Sequence, residues 1–189
     1  MSSLMPSDLF RGQLVRLAAP HSDDKESMAR WYDDPEFQRQ LDTDPARPRP
    51  ASYFEPPKEK ANEYREFSFL IRTLAEDKMI GFTDLWVMWN HQTAWLSIGI
   101  GEAEYRGKGY GTDAMRLTLA YAFRELNLYR ISLTVFSYNP RAIHVYEKLG
   151  FVREGVSRSA LYRDGQRHDV ILMGLLRPEW DATQKPLSE

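Results

Sequence analysis

Hydrophobic positions along the chain follow two periods. Residues 14–17, 67–73, 79–88, 93–100 and 129–136 are short runs rich in β-branched and aromatic side chains, and they predict strands. Residues 75–78 make the turn between the second and third. After position 100 the period lengthens. Met115, Leu119, Ala122 and Leu126 recur at i, i+4, i+7 and i+11, so 113–126 predicts a helix with one apolar stripe. Residues 25–32 and 59–66 predict two more helices. A fourth is delimited by its ends: Asn139 is a good N-cap, Pro140 suits the first helical position, and Gly150 terminates it past Leu149. Ala142, Val145, Tyr146 and Leu149 form its apolar face, which puts Tyr146 on the side turned to the sheet. The chain then reads as strands 152–162 and 167–176 joined by Arg163-Asp164-Gly165-Gln166, a hairpin signal. Pro45, Pro48, Pro50, Pro56 and Pro57 exclude an interior strand or helix over 42–57 and predict a long loop.

Composition narrows the class. With 189 residues, 42% of them hydrophobic, the chain can bury one core, so one α/β domain over 1–189 is expected, its core at about 10–177 and a polar tail at 181–189. A net charge of −2 gives no support for a general nucleic-acid or membrane binder. The absence of cysteine excludes a disulfide framework, a thiol nucleophile and a thiolate metal site, and is compatible with a cytoplasmic location. Residues 1–8 lack a signal-peptide pattern, and no run approaches the roughly 20 apolar residues that span a bilayer. A soluble protein is the expectation.

Candidate chemistry lies between the strand at 93–100 and the following helix, at Tyr105-Arg106-Gly107-Lys108-Gly109-Tyr110-Gly111-Thr112. A glycine-rich turn into a helix leaves the first backbone N–H groups unpaired, and with the helix dipole they favour an anion. Read alone, the segment is equally a tight turn bearing a surface basic pair. Spacing decides among phosphate motifs. Thr112 stands where a Rossmann fingerprint needs its third glycine, and Glu102 stands where a P-loop needs its first. Gly155-Val156-Ser157-Arg158-Ser159 lacks the last glycine of a hydrolase elbow, and no His-Glu-x-x-His pattern exists, so no metal is expected.

Arg106-x-x-Gly109-x-Gly111, followed one strand later by the helix carrying Asn139 and Tyr146, resembles the Gcn5-related N-acetyltransferases. Tyr162-Arg163-Asp164-Gly165-x-x-His168-Asp169 is similar to the branch that acetylates ribosomal-protein N-termini. The resemblance implies a mixed, largely antiparallel twisted sheet flanked by helices, acetyl-coenzyme A as cosubstrate, and a homodimer. It also implies site roles. Arg106, Gly107, Lys108, Gly109, Tyr110, Gly111 and Thr112 would hold the pyrophosphate; Ile98, Gly99 and Ile100 would pair with the pantetheine arm; Asn139 would hydrogen-bond that arm; and Tyr146 would protonate the leaving thiolate. On this reading the acceptor is a protein or peptide N-terminal amine, with an aminoglycoside, polyamine or other small amine as the alternative and a non-catalytic acyl-coenzyme A sensor as a different class.

Two carboxylates are candidates for the base that an ammonium acceptor needs. Glu102, just beyond the strand, comes first; Asp84, which alternation places on the face of Phe82 and Trp86, comes second. Solvated surface charge is the competing reading for both. Gly99 and Gly101 suggest a bulge at the end of the strand. Trp86, Trp89 and Trp95, with the proline-rich loop, are expected either to wall an acceptor site or to pack against the core.

Overall fold

A computed structural model describes residues 9–21, 23–55 and 65–184. Strands β1 (Val15–Ala18), β2 (Glu66–Thr73), β3 (Met79–Met88), β4 (Thr93–Ile100), β5 (Arg130–Phe136), β6 (Val152–Arg163) and β7 (Gln166–Leu176) form one sheet in the order β1-β2-β3-β4-β5-β7-β6. Neighbours are antiparallel except β4 and β5. The helices are α1 (Asp24–Trp31), α2 (Pro35–Leu41), α3 (Tyr110–Ala120), α4 (Pro140–Lys148) and α5 (Arg177–Thr183). This is the expected α/β class with a largely antiparallel sheet. No described helix is long and apolar enough to cross a membrane.

Period-two alternation assigns the two faces of the sheet. On one face Leu85, Val87, Leu96, Leu133 and Met173 pack against Met115, Leu119 and Phe123, the main core. On the other, Leu70, Met79 and Phe82 lie under Trp31 of α1 and Phe37 of α2. That second layer is small and leaves Trp86, Met88 and Trp95 largely exposed.

The parallel pair positions the site. β4 and β5 pair only through Thr93, Ala94 and Trp95 against Arg130, Ile131 and Ser132. Beyond Trp95 the strand continues to Ile100, paired with β3 on its other side but not with β5. In a strand, successive residues direct their backbone groups alternately to the two sides, so some between Leu96 and Ile100 face the gap.

Several boundaries differ from expectation. Helix α2 lies where no element was expected, just ahead of the proline-rich loop. It has the same local signals as α4: Asp34 caps it by accepting from the Glu36 N–H at 2.9 Å, with Pro35 in the first turn. The helix expected at 113–126 begins at Tyr110 and stops at Ala120, followed by a wider turn over Tyr121–Glu125 closed by Leu126 N–H to Tyr121 O at 3.1 Å. The wider turn shifts the stripe, so that Phe123 is fully buried, stacked on Trp180 at 5.1 Å, and Leu126 only half-buried. Burial of Trp180 also makes helix of residues 181–183, at the start of the expected polar tail. Of the helix expected at 59–66, residues 59–64 lie outside the described residues and Glu66 opens β2. The Asp-Gly hairpin forms as read, with Asp164 at φ 49° and Gly165 at φ 78°, between paired Arg163 and Gln166. No bulge interrupts β4 against β3. The irregularity comes one residue later, where the Gly101 and Glu102 N–H groups both donate to Ile80 O.

A buried carboxylate anchors β1. Asp113 in the first turn of α3 accepts from Leu14 N–H at 2.7 Å and Val15 N–H at 3.1 Å. Replacing it by alanine leaves both donors without that acceptor. Asp113→Ala is expected to cost about 2–4 kcal/mol, and Asp113→Asn, which keeps one acceptor oxygen, about half as much. Urea unfolding midpoints check the order; equal and small losses would show that the clamp is not needed.

Candidate active site

The gap between β4 and β5 opens into a cavity of about 540 Å³. Three segments build it: the end of β4 with Ile98, Gly99 and Ile100; the loop and first turn of α3 with Arg106, Gly107, Gly109, Gly111 and Thr112; and α4 with Asn139, Ala142, Val145 and Tyr146. These are nine of the eleven expected cofactor residues and the expected acid, brought to one wall system. Lys108 and Tyr110 do not line it. Lys108 is exposed, and the Tyr110 ring meets Tyr105 edge to face at 5.1 Å.

Local geometry explains the loop. Gly107 and Gly109 sit at φ 76° and 92°, where a side chain would be strained. Gly109 directly precedes α3, and its O accepts from Asp113 N–H at 3.0 Å. The N–H groups at the front of α3 have no helical partner, which suits an anion lying in the loop. An open cavity with a glycine-lined turn fits an extended, phosphorylated ligand such as coenzyme A.

Arg106 does something other than expected. Its guanidinium donates to Ile100 O at 2.8 Å and to Gly101 O at 2.7 Å, and pairs with the Asp34 carboxylate at 3.3 Å. It lies over the Phe37 ring at 5.4 Å. The group therefore ties the end of β4 to the cap of α2, with most of its donors engaged.

Tyr146 is on the second turn of α4, its ring 5.9 Å from that of Phe151. Burial pushes its hydroxyl up to about 12, so it stays protonated throughout the neutral range. Asn139 accepts from Ala142 N–H at 3.1 Å, so its side-chain oxygen caps α4 and its NH₂ group is left to face the cavity it lines.

The two carboxylates separate clearly. Glu102 does not line the cavity; it accepts from Arg30 at 2.6 Å and from the Trp31 indole at 2.9 Å, with Lys78 at 3.7 Å. Burial pushes its carboxyl up, but the bonds to Trp31 and Arg30 and the nearby cations outweigh this and hold it below the usual range. Asp84 is opposite. It faces Ser97 of β4 and Ser68 of β2 across the ladder, and burial raises its carboxyl to about 6, against the lowering effect of a hydrogen bond from Ser68. Ser97 immediately precedes the cavity-lining run Ile98–Ile100 but lies on the α2 face with Asp84.

Trp86 and Trp95 pair directly across β3 and β4, one row beyond Asp84 and Ser97 on the same face. They line the open sheet face rather than the cavity. Trp89 packs edge to face on Phe67 at 6.1 Å. The proline-rich loop is held by the terminal hairpin, with Arg163 donating to Asp42 O at 2.6 Å and Arg39 pairing with Asp164 at 3.0 Å. Cavity residues not anticipated are Phe37, Gln40 and Leu41 of α2, and Arg141, His144 and Lys148 of α4. The α4 set was visible as residues 141, 144 and 148 on adjacent helical positions, whereas α2 carried only its Asp-Pro start.

Comparison with known proteins agrees with this geometry. Residues 15–152 match the acetyltransferase (GNAT) domain family. The spermidine N(1)-acetyltransferase of Escherichia coli strain K12 is 40% identical over 82 residues, 43% of this chain and 44% of that protein. The ribosomal protein uS5 alanine N-acetyltransferase of the same strain is 31% identical over 86 residues, 46% of this chain and 44% of its own length. Both alignments thus span less than half of these relatives. The crystal structure of a spermidine N-acetyltransferase from Vibrio cholerae in complex with CoA and spermine superposes with a TM-score of 0.71 at 26% identity, covering 88% of this chain and 97% of that one. The chain belongs to the GNAT acetyltransferase family, the acetyl-coenzyme A dependent N-acetyltransferases.

Proposed function

We propose that this chain transfers the acetyl group of acetyl-coenzyme A to a primary amine that approaches from the α2 face of the sheet, with Asp84 as general base and Tyr146 as general acid. The observation that carries the reading is the placement of Tyr146 in the cavity where β4 leaves β5. Acetyl-coenzyme A supplies the activated acyl group as a thioester. Backbone N–H groups of Ile98–Ile100 that face the gap are fixed in advance by pairing with β3, and they stabilise negative charge on the carbonyl oxygen without reorganising.

An amine must shed its proton before it attacks. A carboxylate near pKa 6 is ionised at neutral pH yet is a stronger base than an ordinary aspartate, which fits Asp84. Glu102 is a poor base, since protonating it would break its pairing with Arg30. Tyr146 carries the proton needed by the departing thiolate. Burial raises the proton affinity of phenolate and thiolate alike, so the transfer stays better matched than the phenol's pKa alone suggests.

For the acceptor we place a polycationic small amine first. Asp84 and Glu66 stand on the same open face as Trp86 and Trp95, an acidic and aromatic floor suited to alkylammonium groups. The similarity to spermidine acetyltransferases supports that order. A peptide N-terminal amine is the second reading, supported by the width of that exposed floor and by the uS5 alanine relative. Initial rates with spermidine and with an alanine-first peptide separate them. A higher kcat/KM on spermidine is expected, and turnover of the peptide alone would reverse the order.

Two variants test the chemistry. Tyr146→Phe keeps the ring and is expected to lower kcat by about 10²- to 10⁴-fold with coenzyme A affinity preserved. Wild-type kcat under chemistry-limited conditions would remove Tyr146 from the mechanism. In the wild type, kcat/KM should fall with acid through about pH 6, because a raised carboxyl takes up its proton there and ceases to be a base. Asp84→Asn should lower the rate and abolish that limb, while Glu102→Gln should leave the limb in place. An acid limb that survives Asp84→Asn excludes Asp84 as the titrating group.

A further inference from the structure

The tip of the β6–β7 hairpin, Tyr162-Arg163-Asp164-Gly165-x-x-His168-Asp169, does not line the cavity, yet its polar groups reach the helix that does. Arg163 donates to Asp42 O at 2.6 Å and to Asp44 O at 3.4 Å, and Asp164 pairs with Arg39 at 3.0 Å. His168 meets the Tyr138 ring edge to face at 4.9 Å, and the Tyr138 hydroxyl donates to Arg39 O. Asp169 fixes the turn that carries Tyr138: its O accepts from Ser137 N–H at 3.0 Å, and its N–H donates to Ser137 Oγ at 3.1 Å. The hairpin tip, the turn before α4 and the end of α2 thus form one hydrogen-bonded unit.

We propose that Tyr138 and Arg163 are positioning residues for the acceptor amine, acting through Gln40 and Leu41 of α2. Three observations converge. A helix leaves its last carbonyls without helical partners, and at the end of α2 two carbonyls are met by these side chains, Arg39 O by Tyr138 and Asp42 O by Arg163. Gln40 and Leu41, which line the cavity, lie directly between those two anchored residues, so their backbone is held on both sides. Residues 42–50 form no helix or strand, and their prolines remove backbone donors, so the segment after α2 does not hold its end in place. Leu41 also lines a small pocket beside that segment, with Tyr32, Asp42 and Tyr53, and so stands between the proline-rich loop and the cavity. The Arg39–Asp164 pair is exposed and contributes little by itself, which leaves the constraint to the bonds made to the carbonyls. Burial pushes the Tyr138 hydroxyl up, against the pull of Arg163 and Arg39, and it remains a donor at neutral pH. The glycine loop touches α2 at its other end, through Arg106 and Asp34. Loosening residues 39–42 should therefore disturb an amine entering from the α2 face more than coenzyme A.

This inference rests on the proposed acetyl transfer to an amine from the α2 face, and steady-state kinetics tells the two apart. Wild type, Arg163→Ala, Arg163→Lys, Tyr138→Phe and Arg167→Ala are assayed with spermidine and with an alanine-first peptide, coenzyme A affinity is measured by calorimetry, and folding is verified by thermal melts. Arg167 is an exposed cation of the same hairpin whose contacts, Ser159 O and the Tyr162 ring, stay within it, so Arg167→Ala controls for lost charge and for general disturbance of the hairpin. Arg163→Ala is expected to raise the amine KM by about ten- to a hundredfold with coenzyme A affinity preserved. Arg163→Lys, which can still reach a carbonyl, recovers part of the loss. Tyr138→Phe keeps the ring on Phe136 and His168, raises KM in the same direction, and tests the same wall should Arg163→Ala fail to fold. Amide hydrogen exchange at residues 40–44 should speed up in Arg163→Ala and Tyr138→Phe but not in Arg167→Ala. An unchanged amine KM, a raised KM without faster exchange at 40–44, an equal loss of coenzyme A affinity, or the same changes in Arg167→Ala overturns the proposal while acetyl transfer stands. A wild type that turns over neither amine overturns the acceptor reading, and this inference with it.

Discussion

Pairing between β4 and β5 ends after three residue pairs, and the rest of the site follows from that break. A sheet that parts leaves backbone groups without partners, a costly arrangement unless something holds the strand end in place and a ligand or water fills the gap. Antiparallel pairing with β3 holds one side of β4 through Ile100. Arg106 holds the end, by taking the carbonyls of Ile100 and Gly101 and anchoring them to Asp34. Because Asp34 also caps α2, one guanidinium sets the relation between the glycine loop and the helix that roofs the other face. Phe37 of α2 then lies close against Gly99, where an added Cβ would come within 3.1 Å of the ring.

The parted strands also separate the two reactive directions. The cavity has Tyr146 on its α4 wall and reaches Phe37, Gln40 and Leu41 of α2 through the gap; Asp84 lies on the α2 face, beside the end of β4. A thioester in the gap can therefore be approached by an amine from one face while its sulfur leaves toward the other. Burial tunes both candidate groups in the same sense, raising a carboxyl to about 6 and a phenol to about 12. The consequences are opposite: the carboxylate becomes a better base, and the phenol remains a loaded proton donor.

Cations around the cavity divide by role. Arg106 lines the space but is engaged in holding the strand end, and Lys108 faces outward, while the other cations lining the space come from α4, more than thirty positions later. A charge beside a motif is thus a weaker guide to ligand contact than the wall it faces. Glu102 illustrates the same point with the sign reversed. It is close to the loop in sequence, but Arg30 and Trp31 of α1 neutralise and hold it, so it stabilises the packing of α1 against the strand end.

The sequence by itself determined the elements whose signals are local: the strands with period two, the Asp-Gly hairpin, the glycine turn into α3, and α4 between Asn139 and Gly150. Each depends on backbone conformations or caps that only a few neighbouring residue types satisfy, so adjacent positions suffice to read them. It determined the family for the same reason, because the glycine loop and the Tyr146 helix are contiguous motifs in a set order. Tertiary structure alone decided what those residues touch. Arg106 meets a carboxylate 72 positions away, the wider turn at Tyr121–Glu125 passes the core position from Leu126 to Phe123, and, among the described residues, Asp84 rather than Glu102 is left half-buried without a cation. Desolvation and ion pairing depend on groups brought together from distant parts of the chain, and no local pattern encodes which of two similar carboxylates will be paired with cations and which will be raised by burial.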